Sequence, residues 1–474
     1  MKLLPAFRRK AALNLYKNPT LTLCKMTFTS DFVSMKSGDM YPIIEKRGDC
    51  VEKVLQNGYS VSGQGCVLRL LGGFFPYATY EMTVHCGRAG FAFTYGDFSV
   101  LLDTASSTLM FDRSGKEKKI SLNGRAGENM RLIVSFCGGT AFAYTACANE
   151  KPEFAASFEI DGSFLREDVF SRISAATKVY GGARISGVSS YLDAGICQAD
   201  IRPVRFEDGS VIIENGRMFF TVSSRMGTKN YQSVLSLKKD SCEFNLEGAI
   251  LFDYGDGVLN GDVATSLIFD RNKKEWLFWT CAFSQGHILA CGRTENDPRF
   301  GINVLEAEVM GPIGENPDTD FLGKTGDEDP DFVFDKEKNK WYLTVCRLDS
   351  DTDNKAYRYF LFESDDPLSG YKFVRKTLSG CETGGSIVKG DGGYYFVCGS
   401  DFDKKSCYHV YDLNDFSRFD TLKCDYPDGG FRGWGSVFKV PGGTREKYMW
   451  ITFDRFLGDP EYNWSYGNIY LYES

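Results

Sequence analysis

Acidic residues stand at the start of four similar segments in the second half of this chain. They are Asp208, Asp262, Asp329 and Glu382, and a fifth, similar segment begins at Gly433. If the segments are repeats of one structural unit, these carboxyl groups meet at a common place. Carboxyl groups that lie close together and are partly shielded from water repel each other, so their pKa values move apart. One can then stay protonated and donate a proton, while another stays ionised and activates water or attacks carbon.

Each segment leads through a turn to a strand that is rich in aromatic residues. These strands begin at Arg217, Glu275, Lys340, Gly393 and Lys447. Successive segment starts are 54, 67, 53 and 51 residues apart, and periods near 50 residues are typical of the four-stranded blades of a β-propeller. The innermost strand of each blade runs along the propeller axis, so the segment starts would face one mouth of a central funnel. We therefore predict a five-bladed β-propeller over residues 204–474.

The residues before the repeats predict a second all-β domain. Residues 25–203 contain short alternating or apolar runs that are separated by Gly, Asn and Asp, a pattern typical of a β-sandwich. The order of these runs resembles laminin-G and concanavalin-type jelly rolls, which implies a lectin-like domain. Residues 1–24 are predicted to be an N-terminal extension with one short helical stretch. The expected fold class is all-β, with an N-terminal β-sandwich (jelly roll) followed by a five-bladed β-propeller.

The composition favours a globular protein that acts on a small molecule. The chain has 474 residues, enough for two domains, and a net charge of −8. It has no basic stripe long enough to follow a phosphate backbone, so nucleic acid is not an expected partner. Its 15 cysteines are scattered without metal-ligand spacing, which predicts a reducing, cytoplasmic location. No cofactor is expected. No run approaches the roughly 18 apolar residues of a membrane span, and a homo-oligomer is left open.

Three of the acids match the pattern of known five-bladed glycosidases. Asp208 leads the first segment, Asp329-Pro330 the third and Glu382 the fourth, and this order resembles glycoside hydrolase families 43 and 32. The resemblance implies that Asp208 is the general base or nucleophile, that Asp329 tunes the acid and positions the substrate, and that Glu382 is the general acid. The chain departs from these families because Gly209 follows Asp208 where they usually have proline, and because the lectin-like domain comes first. Glu382 is also one residue out of register, and the segment from Gly433 lacks the histidine with which many family 43 members hold an ion, so no metal is expected. These departures indicate a distant relative.

Other residues near the expected funnel are candidates for substrate binding. Three arginines follow aromatic strands, where guanidinium groups would bind sugar hydroxyls or a substrate carboxylate, or else form ion pairs between blades. Two tryptophans would stack on a sugar ring unless they pack in the blade cores. The predicted substrate-binding residues are Asp262, Arg225, Trp279, Arg347, Arg432, Trp434 and Arg455.

Together these observations predict a glycoside hydrolase, because cleavage of a glycosidic bond requires one protonated and one ionised carboxyl group. The resemblance implies an exo-acting furanosidase, similar to α-L-arabinofuranosidases or fructofuranosidases. The expected cytoplasmic location favours a short oligosaccharide or glycoside over a polymer as its substrate. The distance between the two carboxyl groups distinguishes retention, at about 5–5.5 Å, from inversion, at about 6.5–9.5 Å. Two alternatives stay open: a propeller glycoside phosphorylase and a non-catalytic carbohydrate-binding protein.

Overall fold

The computed structural model describes most of the chain after residue 51. The described residues are 52–55, 59–60, 65–94, 97–122, 127–147, 150, 152–193, 197–227, 229–238, 244–286, 288–311, 313–314, 326–348, 357–390, 392–400, 407–423, 435–440, 447–453 and 469–473. The predicted N-terminal extension, residues 1–24, lies outside them. Within the described ranges, no helix is long and apolar enough to cross a membrane.

The N-terminal part consists of thirteen described strands and one short helix, α1 (Glu167–Phe170). The strands are β1 Glu52–Leu55, β2 Tyr59–Ser60, β3 Cys66–Gly73, β4 Thr79–Cys86, β5 Arg88–Thr94, β6 Phe98–Asp103, β7 Thr108–Arg113, β8 Lys116–Ser121, β9 Met130–Cys137, β10 Thr140–Cys147, β11 Glu153–Glu159, β12 Ser174–Tyr180 and β13 Arg184–Tyr191.

These strands form two antiparallel sheets that pack on each other. Sheet A has the order β1-β13-β4-β9-β10-β11, with β2 also paired to β13, and sheet B has the order β3-β12-β5-β6-β7-β8. Alternate residues of a strand lie on the same face of a sheet, and this period brings Met82 and Val84 of sheet A into one buried core with Phe91 and Phe93 of sheet B.

The later part consists of 22 described strands. They are β14 Cys197–Pro203, β15 Arg205–Phe206, β16 Ile213–Glu214, β17 Arg217–Met226, β18 Lys229–Lys238, β19 Phe244–Asp253, β20 Val263–Asp270, β21 Glu275–Ala282, β22 Ile288–Thr294, β23 Gly301–Glu306, β24 Glu308–Met310, β25 Glu328–Asp335, β26 Lys340–Leu348, β27 Tyr357–Ser364, β28 Lys372–Lys376, β29 Glu382–Gly390, β30 Gly393–Ser400, β31 Cys407–Asp412, β32 Arg418–Lys423, β33 Ser436–Val440, β34 Lys447–Phe453 and β35 Ile469–Glu473.

The described strands of the later part form five sheets. Sheet I is β14-β17-β18-β19-β23 with β16 paired to β17, and sheet II is β15-β20-β21-β22-β24. Sheet III is β25-β26-β27-β28, sheet IV is β29-β30-β31-β32 and sheet V is β33-β34-β35. The all-β prediction is confirmed, and all five aromatic strands begin at the predicted residues.

Neighbouring sheets of the later part share buried cores in cyclic order. One core joins sheets I and II, a second joins II and III, a third joins III and IV, and a fourth joins IV and V. The circle closes where Phe438 and Ile451 of sheet V pack with Phe220 of sheet I. The same core includes Phe142 and Tyr144 of sheet A, so it also joins the N-terminal part to the later part.

The first strand of sheet I is not the one that the sequence predicted. We expected the segment from Asp208 to supply it, but β14 pairs with β17 and takes that place. Asp208 lies instead in the turn that follows β15, where the amide of Gly209 donates to the carbonyl oxygen of Phe206. Because β14 begins at residue 197, the later part starts before the predicted junction at residues 203 and 204.

Candidate active site

The first strands of sheets I to IV share one irregularity. Strands β14, β20, β25 and β29 each shift register against the next strand, as in a β-bulge. Each shift contains one residue with positive φ: Asp200 (48°), Ala264 (57°), Asp329 (49°) and Gly384 (62°). Asp tolerates this left-handed conformation better than most residues because its short side chain can hydrogen-bond locally. Asp200 and Asp329 therefore occupy equivalent positions in sheets I and III.

Asp200 and Asp329 are two buried carboxyl groups that influence each other. Each residue is 5% exposed. Burial and the negative charge of Asp329 raise the pKa of Asp200 to about 6, although Arg225, Ser223 and Arg202 oppose the rise. A carboxyl group with this pKa is protonated at mildly acidic pH, which is the property that a proton donor needs.

The carboxylate of Asp329 is held by the start of β29. Its Oδ2 accepts hydrogen bonds from the hydroxyl of Thr383 at 2.6 Å and the amide of Gly384 at 2.8 Å. Its Oδ1 lies 3.7 Å from Nη2 of Arg202. These donors and the guanidinium stabilise negative charge on Asp329.

Further along these first strands, paired charges fill the space where sheets I to IV converge. Arg202 donates from Nη1 to the carbonyl oxygen of Gly385 at 2.7 Å, and Arg205 donates to that of Ile387 at 2.7 Å. Nη2 of Arg205 forms an ion pair with Oδ1 of Asp331, and the amide of Ile387 donates to Oδ2 of Asp331 at 2.6 Å. Both arginines and Asp331 are buried, so this polar network ties sheets I, II, III and IV together next to the carboxyl pair.

Asp208 lies near the other end of these first strands, away from Asp200 and Asp329. Its carboxylate accepts a hydrogen bond from Nζ of Lys389 at 2.6 Å and lies 3.1 Å from Nη2 of Arg271. Lys389 is next to the last residue of β29, and Arg271 follows the last residue of β20. Burial raises the pKa of Asp208, but the hydrogen bonds from Lys389 and from its own turn outweigh that effect and hold the pKa below its ordinary value. The structure does not bring Asp208 to the other two predicted acids.

Glu382 is enclosed by donors from sheets III and IV. Its side chain is 0% exposed. Its Oε2 accepts a hydrogen bond from the hydroxyl of Thr377 at 2.6 Å. Its Oε1 lies 2.8 Å from Nδ1 of His409 and also accepts a hydrogen bond from the hydroxyl of Tyr411. Glu382 stands two positions before the bulge residue Gly384, so it is not equivalent to Asp200 or Asp329.

Asp262 and Arg347 are likewise occupied by partners. The Oδ2 of Asp262 accepts hydrogen bonds from the hydroxyls of Tyr254 at 2.6 Å and Ser284 at 2.7 Å. Burial raises the pKa of Asp262 in spite of these donors. Arg347 donates from Nε and Nη2 to both carboxylate oxygens of Asp327, at 2.6 and 2.7 Å, so it forms a buried ion pair within sheet III rather than facing a substrate.

Trp279 lies in the core between sheets II and III. It is fully buried, its Nε1 donates to the carbonyl oxygen of Pro367 at 3.0 Å, and its ring meets Tyr371 edge-on. This packing leaves no ring face for a sugar. Arg225 is partly buried, and its positive charge acts on Asp200. The remaining predicted binding residues, Arg432, Trp434 and Arg455, lie outside the described residues.

One group of side chains among the described residues has spacing suited to a metal ion. Ligand atoms of Glu328, Asp329 and Cys346 lie within 4.8 Å of one another. The Cys346 thiol, however, donates to the carbonyl oxygen of Glu382 at 3.1 Å, and Asp329 has the partners given above. The expectation that the protein binds no metal stays a prediction.

Sequence reasoning missed Asp200 and Arg202, although the spacing held a signal. Lys340 follows Asp329 by eleven positions, which leaves room for a full strand and a turn, whereas Arg217 follows Asp208 by only nine. The spacing therefore indicates that the first strand of sheet I begins upstream of Asp208.

Comparison with known proteins finds similarity only among solved structures. No family model matches the chain, and no curated protein matches it. A family 117 glycoside hydrolase from Zobellia galactanivorans has a TM-score of 0.41 at 10% identity, covering 58% of this chain and 84% of that one. A thermostable family-43 glycoside hydrolase has a TM-score of 0.38 at 14% identity, covering 59% and 90%. An endo-1,4-beta-xylanase from Bacteroides thetaiotaomicron has a TM-score of 0.37 at 16% identity, covering 57% and 89%. TM-scores this low carry no argument about the function of this chain.

Proposed function

We propose that the protein is a glycoside hydrolase in which Asp200 and Asp329 are the reacting carboxyl groups. The observation that carries this proposal is the placement of both acids in equivalent bulges, where burial and the charge of Asp329 raise the pKa of Asp200 to about 6. Two carboxyl groups in unlike protonation states are what glycosidic hydrolysis requires. The proposal replaces Asp208 with Asp200 as the acidic residue of the first sheet.

The two carboxyl groups take complementary roles in the proposed reaction. Protonated Asp200 transfers its proton to the glycosidic oxygen as the bond to the anomeric carbon breaks. Asp329 acts through Oδ1, because Oδ2 is occupied by Thr383 and Gly384. It either removes a proton from the attacking water or attacks the anomeric carbon itself. Arg202, 3.7 Å from Oδ1, orients this oxygen.

The proposed architecture places this pair at one mouth of a propeller. Sheets I to V share cores in a closed cycle, which supports five blades around one axis, and sheets A and B share one core, which supports a β-sandwich. The substrate that we propose is a short oligosaccharide or glycoside carrying a terminal furanosyl group. This finer assignment rests on the sequence resemblance to families 43 and 32.

The proposal is tested by replacing each acid with its amide and assaying a panel of aryl furanosides and pyranosides. We expect Asp200→Asn and Asp329→Asn each to lower kcat by about 10²–10⁴-fold, because each removes acid–base or nucleophilic catalysis without changing side-chain size. Asp208→Asn tests the assignment that the sequence favoured, and we expect it to keep activity. Asp415→Asn, an exposed turn residue of sheet IV, serves as the neutral control.

Three outcomes would contradict the proposal. Absence of turnover by the native protein across the panel, with sugar binding retained, would indicate a non-catalytic carbohydrate-binding protein. Turnover that requires added phosphate would indicate a phosphorylase. Loss of activity in Asp208→Asn, with Asp200→Asn unaffected, would return the reaction to the opposite mouth of the ring.

A further inference from the structure

Glu382 begins β29, and the two residues that follow it hold the carboxylate of Asp329. We propose that Glu382 is a positioning residue, which anchors the start of β29 so that Thr383 and Gly384 keep Asp329 in place, and that it is not the proton donor. This inference rests on the proposed function, because it assigns a role within that same site.

The enclosure of Glu382 is the first argument. A general acid must reach the leaving-group oxygen directly or through one water molecule. Glu382 is 0% exposed, and its two carboxylate oxygens are occupied by Thr377, His409 and Tyr411. Opening a path to a substrate would leave three buried donors without their acceptor, and unsatisfied buried polar groups are costly.

The covalent connection to the site is the second argument. The hydroxyl of Thr383 and the amide of Gly384 both donate to Oδ2 of Asp329, at 2.6 and 2.8 Å. A fixed Glu382 therefore fixes these two donors, because they are the next two residues of the chain. Substrate-side groups must be held to within a fraction of an ångström, and a misplacement of about 1 Å can cost about 10²-fold in rate.

The main chain of Glu382 is anchored as well as its side chain. Its carbonyl oxygen accepts a hydrogen bond from the Cys346 thiol at 3.1 Å, and Cys346 pairs directly with Glu328 in β25, next to Asp329. The charged and titratable groups around the carboxylate are His409, whose Nε2 lies 3.1 Å from Nη1 of Arg418, together with Tyr411 and Cys398. Glu382 thus joins sheet IV to β26, the strand that pairs with the one carrying Asp329.

The variant Glu382→Gln separates the two roles. A glutamine keeps the acceptor oxygen for His409 and Tyr411, and its amide can donate to the hydroxyl of Thr377, so the anchor survives while the acidic proton is removed. We expect kcat/KM to stay within about threefold of the native value on aryl glycosides ranging from acidic nitrophenol to unsubstituted phenol leaving groups. A loss of about 10²–10⁴-fold on the phenol substrates that disappears with nitrophenol would show that Glu382 donates the proton, and would overturn the proposal.

The variant Glu382→Ala removes the anchor. We expect kcat to fall by about 10²-fold, equally for all leaving groups, with rescue by the glutamine variant. Asp193→Ala is the matched control, because Asp193 is another buried carboxylate held by a hydroxyl, from Ser135 of sheet A. It should lose stability and keep its kcat. If Glu382→Ala behaves like this control, the role of Glu382 is structural only and the proposal fails.

Crystal structures of both variants give a readout that does not depend on turnover. The contact between the Gly384 amide and Oδ2 of Asp329, 2.8 Å in the native chain, should persist in the glutamine variant and lengthen beyond hydrogen-bond distance in the alanine variant. Persistence in both would overturn the anchoring. If the native protein hydrolyses no glycoside, the proposed function fails, and these two structures still decide whether Glu382 positions Asp329.

Discussion

The starts of strands β14, β20, β25 and β29 carry two kinds of buried acid, which differ by two positions relative to the bulge. Asp262 and Glu382 lie two residues before a bulge, and hydroxyl or imidazole donors occupy their carboxylate oxygens. Asp200 and Asp329 lie in the bulges themselves. Burial and the charge of the nearby Asp329 raise the pKa of Asp200 more than its donors lower it, so its environment favours the protonated form. Burial raises the pKa of Asp262 as well, so burial alone does not identify a reacting group. The second carboxylate beside Asp200 is what distinguishes that residue.

The raised pKa of Asp200 has a consequence for stability. The folded pKa of about 6 exceeds the ordinary value of 3.8, so between pH 4 and pH 6 the folded state binds more protons than the unfolded state. Stability from this group is therefore fully present below about pH 4 and is lost as the pH rises through about 6. We expect Asp200→Asn, which cannot ionise, to match the native protein at pH 4 and to be more stable at pH 8 by up to about 3 kcal/mol.

Urea unfolding at several pH values measures this difference. Asp415→Asn, at an exposed turn, serves as the reference for a change of charge outside the site. A stability difference for Asp200→Asn that is the same at pH 4 and pH 8 would show that Asp200 does not titrate in this range.

At the scale of elements, the sequence predicted where the aromatic strands begin but not the register in which neighbouring strands pair. Aromatic strands such as β21 and β26 were predicted from apolar runs that follow Asp- and Lys-rich turns, because those signals are local. The bulges in β14 and β29 depend on pairing with the next strand, which is not a local property. As a result the sequence predicts a shift of one residue between Glu382 and Asp329, whereas Glu382 lies two positions earlier relative to the bulge.

The ion pair between Arg205 and Asp331 links the elements around the axis. Both residues are buried, and Ser266 of sheet II also donates to Asp331 at 2.6 Å. We expect Arg205→Met to lower the free energy of unfolding by about 3–5 kcal/mol, because it leaves the Asp331 carboxylate buried without its counter-charge. Adding Asp331→Asn should restore part of the loss, since the neutral side chain no longer needs that partner.

A double-mutant cycle in urea measures the coupling between the two positions. The double variant should be clearly more stable than the sum of the single losses implies. Additive losses would mean that Arg205 and Asp331 contribute independently and that the axis is not held by their pairing.

At the scale of the whole molecule, the two ends of the first strands of the later sheets differ in how their acids are compensated. At one end, Asp200 and Asp329 lie close enough for one charge to raise the other's pKa. At the other end, Lys389 and Arg271 neutralise Asp208. The Asp-Gly motif after β15 led to the prediction of Asp208 as a reacting acid, although its charge is neutralised by Lys389 and Arg271. A single sequence does not show at which end of a strand a turn lies.

The N-terminal part contacts the loop that leads into β20, at the same end of the sheets as Asp200 and Asp329. The hydroxyl of Tyr77 donates to the carbonyl oxygen of Leu259 at 3.0 Å. The amide of Leu259 donates to the carbonyl oxygen of Leu165 at 2.8 Å. Gly261 in this loop has no room for a side chain, because a Cβ atom would lie 2.1 Å from the carbonyl oxygen of Asn230. The turn before β4 and the segment before α1 therefore help to hold the start of sheet II.

The core shared by sheets A, I and V predicts that the N-terminal and later parts unfold together. All six tryptophans follow residue 275, so tryptophan fluorescence reports only the later sheets. Phe142 lies in the shared core, whereas Phe91 lies in the core between sheets A and B. We expect Phe142→Ala and Phe91→Ala each to cost about 3–5 kcal/mol and to shift the fluorescence and circular dichroism midpoints in urea equally. If Phe91→Ala shifts the circular dichroism midpoint and leaves the fluorescence midpoint unchanged, the two parts unfold separately, and the shared core is too weak to couple the N-terminal part to the carboxyl pair.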